Sequence, residues 1–359
     1  MNNVERIQAQ LEIHGLDGIL ITDEKNQRYA CGFPFTDGAV LVSRRGAWLI
    51  TDSRYIEAAE KTAGGCAKVV MYDGGHGLME HIRDIIAAEH IVRLGAEEDK
   101  CSYAQFAGYE RALGMKLENA QIILKTLRAV KNAEELAAMR EAQAISERAL
   151  EETLHIIRPG MTEREVAAEL VYRMLRHGSE GNSFDPIVVT GSKTSMPHGV
   201  PGDKVIEAGD FVTMDFGSLK EGYCSDMTRT VAIGQATDEM KNVYDVVLRA
   251  QLAGIAAARA GIPGRDIDAA ARDVIKAAGY GEYFGHGFGH SLGLDIHEWP
   301  NANMRGADIM PVGAVISAEP GIYLPGRFGV RIEDVMVLEE GGCEVITKAP
   351  KELIVLNNG

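Results

Sequence analysis

Residues Gly209 to Gly234 read GDFVTMDFGSLKEGYCSDMTRTVAIG. The runs from Phe211 to Gly217 and from Tyr223 to Ile233 are apolar-rich and separated by a polar stretch, so the segment is expected to form the two strands of a hairpin. With the turn centred on Lys220-Glu221, Asp215 lies directly opposite Asp226, and directly opposed residues point to one face of a sheet. Aspartate is a poor strand residue. Two carboxylates on one face repel unless a cation lies between them. Either aspartate alone reads as a turn or strand-end residue; both in register read as metal ligands.

Two later segments repeat the anomaly. In AVISAEPGIY, Glu319 ends an apolar strand pattern, and in GVRIEDVMVL, Glu333 sits inside one. An ionised glutamate in an apolar strand is costly unless it is paired or bound to metal. For Glu333 the competing explanation is a pair with Arg331, two residues away on the same strand face. Between the aspartates and the glutamates lies YFGHGFGHSLGLDIHEWP, which holds His286, His290 and His297, three of the ten histidines. Glycines flank the first two and leave room for close approach of a ligand. His198, in GSKTSMPHGVPG, is a fourth candidate. The run from Gly289 to Gly293 also fits G-x-S-x-G. That motif needs a strand before the serine, a helix after it and a triad histidine downstream; Pro300 cuts off a helix and no histidine follows His297, so the match is accidental.

The rest of the chain frames these residues. Its 359 residues are comfortable for two domains, and a core of that size needs no disulfide to fold. A net charge of -15 disfavours nucleic acid and anionic membranes as partners. No basic start followed by an apolar run opens MNNVERIQAQ, and no apolar run approaches the length of a membrane span. The five widely spaced cysteines read as reduced thiols, so a cytoplasmic location is expected.

Up to about residue 124 short helix and strand patterns alternate: a helix from Val4 to His14 stopped by Gly15, an apolar run from Ile19 to Ile21, and strands from Ala39 to Val42 and from Trp48 to Ile50 around a polar turn. From Asn132, Leu136, Met139, Ala142, Ile145 and Ala149 recur at helical spacing until Pro159-Gly160. A faint repeat follows. Pro159-Gly160 and Pro263-Gly264 each open a helical stretch of similar length, which reads either as two similar α/β halves or as chance likeness of amphipathic helices. After Pro311 the chain is strand-rich.

Taken together, the chain resembles the pita-bread metallopeptidases, in the branch of Xaa-Pro aminopeptidases and prolidases. The resemblance rests on Asp215 in MDFG, Asp226 in SDMTRT, His290 in GHSLGLDIHE, Glu319 in AEPG and Glu333 in RIED, and on RYACGF, TDGAVLV and LITDSRY, which are similar to a creatinase-type N-terminal domain. It implies a mixed α/β (α+β) chain, with a creatinase-like domain over residues 1–124 and a pita-bread catalytic domain over 125–359. One departure is that Ser291 and Leu292 follow His290 where many relatives have Gly-x-Gly.

The resemblance also implies a chemistry. The four carboxylates and His290 would hold two divalent cations, Mn²⁺ first, with Co²⁺, Zn²⁺ or Fe²⁺ tolerated by an oxygen-rich set with one imidazole. Such a pair, about 3.5–4 Å apart, holds a bridging hydroxide at neutral pH. Glu319 would be ligand and proton shuttle, His198 and His297 would stabilise the tetrahedral intermediate, and His286 and Arg331 would support substrate and ligands. The expected substrates are peptides with proline second, whose tertiary amide lacks an N–H, and the expected assembly is a homodimer. Aminopeptidase action on longer peptides is the first expectation and prolidase action on dipeptides the alternative. Methionine aminopeptidases share the ligands but typically lack the first domain, and creatinase-like or metal-free relatives have lost ligands that are all present here.

Overall fold

The computed structural model describes residues 1–357. The chain divides into two compact units, Met1–Arg128 and Ala129–Gly359.

In the first unit α1 (Asn3–Ile13) starts on a capping box between Asn2 and Glu5 and buries Val4, Ile7 and Leu11, one helical stripe. Then come β1 (Gly18–Ile21), α2 (Glu24–Cys31), β2 (Gly38–Ser43), β3 (Ala47–Thr51), α3 (Ile56–Ala63), β4 (Lys68–Met71), α4 (Leu78–Glu89), β5 (Leu94–Ala96), α5 (Tyr103–Leu113), β6 (Leu117–Asn119) and α6 (Gln121–Ala129). The strands form one six-stranded sheet in the order β4-β3-β2-β1-β5-β6. The strands expected around Ser43–Gly46 are β2 and β3, antiparallel with Val42 opposite Ala47.

The second unit begins with α7 (Ala133–Leu154) and α8 (Glu163–Arg176), followed by β7 (Ile187–Thr190), β8 (Phe211–Phe216), β9 (Leu219–Lys220), β10 (Tyr223–Cys224) and β11 (Met227–Ile233). A second helix pair follows, α9 (Asp238–Ala257) and α10 (Gly264–Ala277). The remaining strands are β12 (Gly289–Ser291), β13 (Glu298–Ala302), β14 (Val315–Ala318), β15 (Gly321–Leu324), β16 (Phe328–Arg331), β17 (Asp334–Leu338), β18 (Cys343–Val345) and β19 (Val355–Leu356). The faint repeat is real in structure: each half gives a long helix, then a 14-residue helix, then strands. One sheet runs β19-β11-β8-β7 and the other β13-β12-β14-β17-β18.

Strand alternation decides which face carries chemistry. Val212, Met214 and Phe216 of β8, and Met227, Val231 and Ile233 of β11, pack with residues of α7 and α8. Ile316 and Ala318 of β14, and Met336 and Leu338 of β17, pack with residues of α9 and α10. Thr213 and Asp215, Thr228 and Thr230 therefore occupy the face that the first helix pair leaves uncovered. By the same parity Glu319 and Glu333, next to the ends of β14 and β17, turn away from the second pair.

The hairpin differs from its expected form in two ways. Its turn is Glu221-Gly222, both with positive φ (49° and 74°), one residue later than expected. Asp215 consequently pairs with Thr228, not with Asp226. The expected second strand is also split into β10 and β11, and Asp226 stands in the break. The shift in register is two residues, and since side chains alternate with period two, both carboxylates still reach the same face. Glu333 is likewise not inside a strand but between β16 and β17.

Arg229 secures this corner. Buried in the sheet, it donates to Asp334 Oδ1 (2.8 Å) and to the carbonyls of Glu333 (2.6 Å), Ala349 (2.7 Å) and Pro350 (2.7 Å). Without the guanidinium, the carbonyls of Glu333, Ala349 and Pro350 lose this donor and Asp334 keeps only its pair with Lys351, and breaking such a buried charged network is costly. Arg229→Met is expected to lower stability by about 3 kcal/mol, read as a drop in urea midpoint with unchanged m; a loss below about 1 kcal/mol would show that these contacts are dispensable.

Candidate metal centre and active site

Every residue singled out in the sequence lines one cavity of about 470 Å³: His198, Asp215, Asp226, His286, His290, His297, Glu319, Arg331 and Glu333. They arrive from several separate stretches of the chain. Asp215 comes from β8 and Asp226 from the break before β11. His290 lies on β12, whose close approach to β14 requires Gly289, since a Cβ there would sit 2.0 Å from the Ser317 carbonyl oxygen. Ser291, of the accidental G-x-S-x-G match, is fully buried in β12 and donates to the Pro300 carbonyl at 2.6 Å. Strand β13 follows, not a helix.

The imidazole of His290 is oriented by its neighbours. Its Nδ1 lies 3.2 Å from the Ser291 carbonyl, which can only accept, so Nδ1 carries the proton and Nε2 presents a lone pair. That nitrogen faces Asp226 Oδ2 at 3.5 Å and Glu319 Oε1 at 3.4 Å. Burial holds the ring below its ordinary pKa, so the imidazole brings no second proton to the two carboxyl oxygens it faces. The Ser317 hydroxyl links the two sides, accepting from the His290 backbone N–H (3.0 Å) and donating to Glu319 Oε1 (3.2 Å).

The carboxylates are crowded and only half satisfied. Asp215 Oδ2 accepts from Arg331 at 2.5 Å, and Glu333 Oε2 from the Thr228 hydroxyl at 2.7 Å. Asp215 Oδ1, Asp226 Oδ1 and Glu333 Oε1 are buried with no hydrogen-bond partner. Uncompensated buried anions are among the costliest groups in a protein. One atom each from Asp226, His290 and Glu333 lies within 4.8 Å of the others. Orphaned anionic oxygens around a lone-pair nitrogen fit divalent cations.

Arg331 pairs with Asp215, so the alternative of an Arg331–Glu333 pair is not what the molecule uses. Its guanidinium also donates to Tyr323 Oη (2.8 Å) and Thr228 Oγ1 (3.1 Å). The tyrosine hydroxyl donates in turn to His286 Nε2 (2.8 Å), whose Nδ1–H meets the Gly287 carbonyl at 2.9 Å. Burial and the nearby Arg331 charge push His286 down to about 4, so it is neutral. His297 stacks edge-on against His290, with ring centroids 4.4 Å apart. On α10, Asp268 accepts from the Phe288 N–H, and Arg272 donates to the His286 carbonyl, fixing the glycine-rich segment. Sequence reasoning misses Thr228, Ser317 and Tyr323, because hydroxyls inside strands look like ordinary sheet residues. Asp185 and Asn301 carry no pattern at all.

Burial, with mutual repulsion, lifts Asp226 and Glu333 well above the carboxylate range and Glu319 to about 7. In the metal-free protein these groups bind protons more tightly folded than unfolded. The stability contributed by Glu319 is then fully present below about 4.5 and lost as pH rises through about 7, and the contributions of Asp226 and Glu333 change in the same direction. The melting temperature of metal-stripped protein is expected to fall by at least about 5 °C between pH 5 and pH 8, and the gap to metal-loaded protein to widen over the same range. A metal-free melting temperature rising with pH would contradict this.

Two half-sheets with outer helix pairs, closing on one cavity of carboxylates and imidazoles, define a pita-bread metallopeptidase. Residues 137–340 match the model of metallopeptidase family M24, and residues 3–130 that of the creatinase/prolidase N-terminal domain. The chain is 42% identical over 343 residues to an uncharacterized peptidase, YqhT, of Bacillus subtilis, covering 95% of this chain and 96% of that one. Among solved structures, an Xaa-Pro dipeptidase from Bacillus anthracis superposes with a TM-score of 0.94 at 43% identity, over 99% of both chains. An X-Pro aminopeptidase from Thermotoga maritima gives 0.91 at 39% identity, over 96% of this chain and 99% of that one. The chain belongs to metallopeptidase family M24. No helix among the described residues is long and apolar enough to cross a membrane.

Proposed function

We propose that the protein is a metal-dependent Xaa-Pro aminopeptidase, which hydrolyses the bond between the first residue of a peptide and a following proline. The observation that carries this reading is the set of orphaned buried oxygens on Asp215, Asp226 and Glu333 around the lone-pair nitrogen of His290. Asp215, Asp226, His290, Glu319 and Glu333 would hold two divalent cations, Mn²⁺ first. When bound, such ions supply Lewis acidity at a carbonyl and lower the pKa of water toward roughly 7.

The chain's own residues do the rest. Arg331 fixes Asp215 by one oxygen and leaves the other turned into the cavity. Glu319 takes a proton from the attacking water and delivers it to the departing proline nitrogen, which has no proton of its own to keep. His198 and His297 stand at the wall to polarise the scissile carbonyl, and the Arg331–Tyr323–His286 chain keeps that wall in place. The proposal includes a homodimer, as the family resemblance implies, and a cytoplasmic location, for which the five cysteines, none in a disulfide among the described residues, speak; sedimentation giving a monomer would remove the first part.

The second reading is an Xaa-Pro dipeptidase, favoured by the likeness to the Bacillus anthracis enzyme of that name. Metal-stripped protein resupplied with Mn²⁺ and given Ala-Pro-Pro and Ala-Pro separates the two. Cleavage of the tripeptide supports the aminopeptidase, cleavage of the dipeptide alone makes this a prolidase, and no cleavage of either with any divalent ion overturns both.

A further inference from the structure

A free dipeptide and the N-terminus of a longer peptide differ at one point: the proline ends in a carboxylate in the first and in an amide in the second. A buried carboxylate needs a cation. Among the described residues lining the cavity there is no lysine and one arginine, Arg331. Arg331 is 4% exposed and already engaged with Asp215, Tyr323 and Thr228. The charge of two divalent ions would be matched by their four carboxylate ligands. The remaining charged group of the wall, Asp185 just before β7, is anionic and forms no ion pair among the described residues. It suits the ammonium at the start of a peptide and repels a carboxylate.

Asn301 lies on the other sheet. It sits on β13 directly opposite His290 of β12, so its side chain shares the face of that imidazole. It lines the cavity, is half-buried, and its amide has no hydrogen-bond partner among the described residues. Its neighbour Asn303, by contrast, accepts from the Arg305 N–H in a turn. An unpaired neutral amide offers both donor and acceptor, which matches a peptide group and gives a carboxylate no charge compensation.

We infer that Asn301 is a specificity-determining residue that receives the amide following the substrate proline, and so restricts the site to peptides longer than two residues. This rests on the Xaa-Pro peptidase reading and sharpens its substrate class. Wild-type Mn²⁺ protein is to be compared on Ala-Pro-NH₂ and Ala-Pro, which differ only in amide against carboxylate. The amide is expected to have at least about ten-fold higher kcat/KM, with the difference in KM. Asn301→Arg is expected to lower KM for Ala-Pro at least about ten-fold and to reverse the preference. Asn301→Ala, a milder change in case the arginine disturbs folding, is expected to raise KM for Ala-Pro-NH₂ without improving Ala-Pro. Equal handling of both substrates by wild type overturns the assignment alone, as does an unchanged preference in folded Asn301→Arg. Failure of every Xaa-Pro substrate overturns the peptidase reading and this assignment with it.

Discussion

Asp226→Asn is expected to lower Mn²⁺-dependent activity by at least about 10³-fold and, in the same protein, to raise the melting temperature of the metal-free form by about 3 °C. The two effects have one cause. Asp226 is buried beside Asp215 and Glu319, and burial with their charges holds its pKa far above the carboxylate range. Without a cation, each ionised group added to this cavity destabilises the fold. An amide of the same shape keeps the packing and stays neutral without a proton, so the cost of protonating this carboxyl disappears from the metal-free fold, while the cation site would lose a ligand. A substitution that damages function while stabilising the fold marks a functional group. Stripped wild type and variant melting together, with both responding equally to Mn²⁺, would show that Asp226 is not a ligand.

Glu319→Gln separates proton transfer from binding. Glu319 follows β14, where Ser317 donates to Oε1 and the Glu319 N–H donates to the Phe288 carbonyl at 2.8 Å. Glutamine preserves that backbone and most of the volume but cannot carry a proton between water and the proline nitrogen. General acid–base groups contribute about 10²–10⁴-fold, so kcat is expected to fall within that range or further, with KM changed less than about three-fold. A variant that loses substrate affinity while keeping kcat would make Glu319 a binding residue and leave proton transfer unassigned.

Much of this site is legible in the sequence because its residues violate local rules. Aspartates in β-patterned segments and glutamates at the ends of apolar runs are expensive where they stand, and that expense marks function. The geometry among them is less legible. Whether Asp215 faces Asp226 depends on a turn one residue away, and Gly222 at the turn's second position moves the register by two. Parity preserves the shared face, and nothing in the run from Tyr223 to Ile233 marks where the strand splits at Ser225–Asp226. Arg331 stands out as a supporting group, yet its partner is Asp215, 116 positions away. A same-strand pair is the simpler guess from spacing, whereas tertiary packing sets the contact. Hydroxyls such as Thr228 and Tyr323 give no signal, because a side chain that completes a buried network looks in sequence like any other strand residue.

Equilibrium dialysis of the metal-stripped chain against Mn²⁺, with the bound ions counted, tests the central claim most directly. Two ions per chain in the wild type, and fewer than one in Asp226→Asn, is the expected result. No Mn²⁺ bound by the wild type, or an equal count in both proteins, would contradict it.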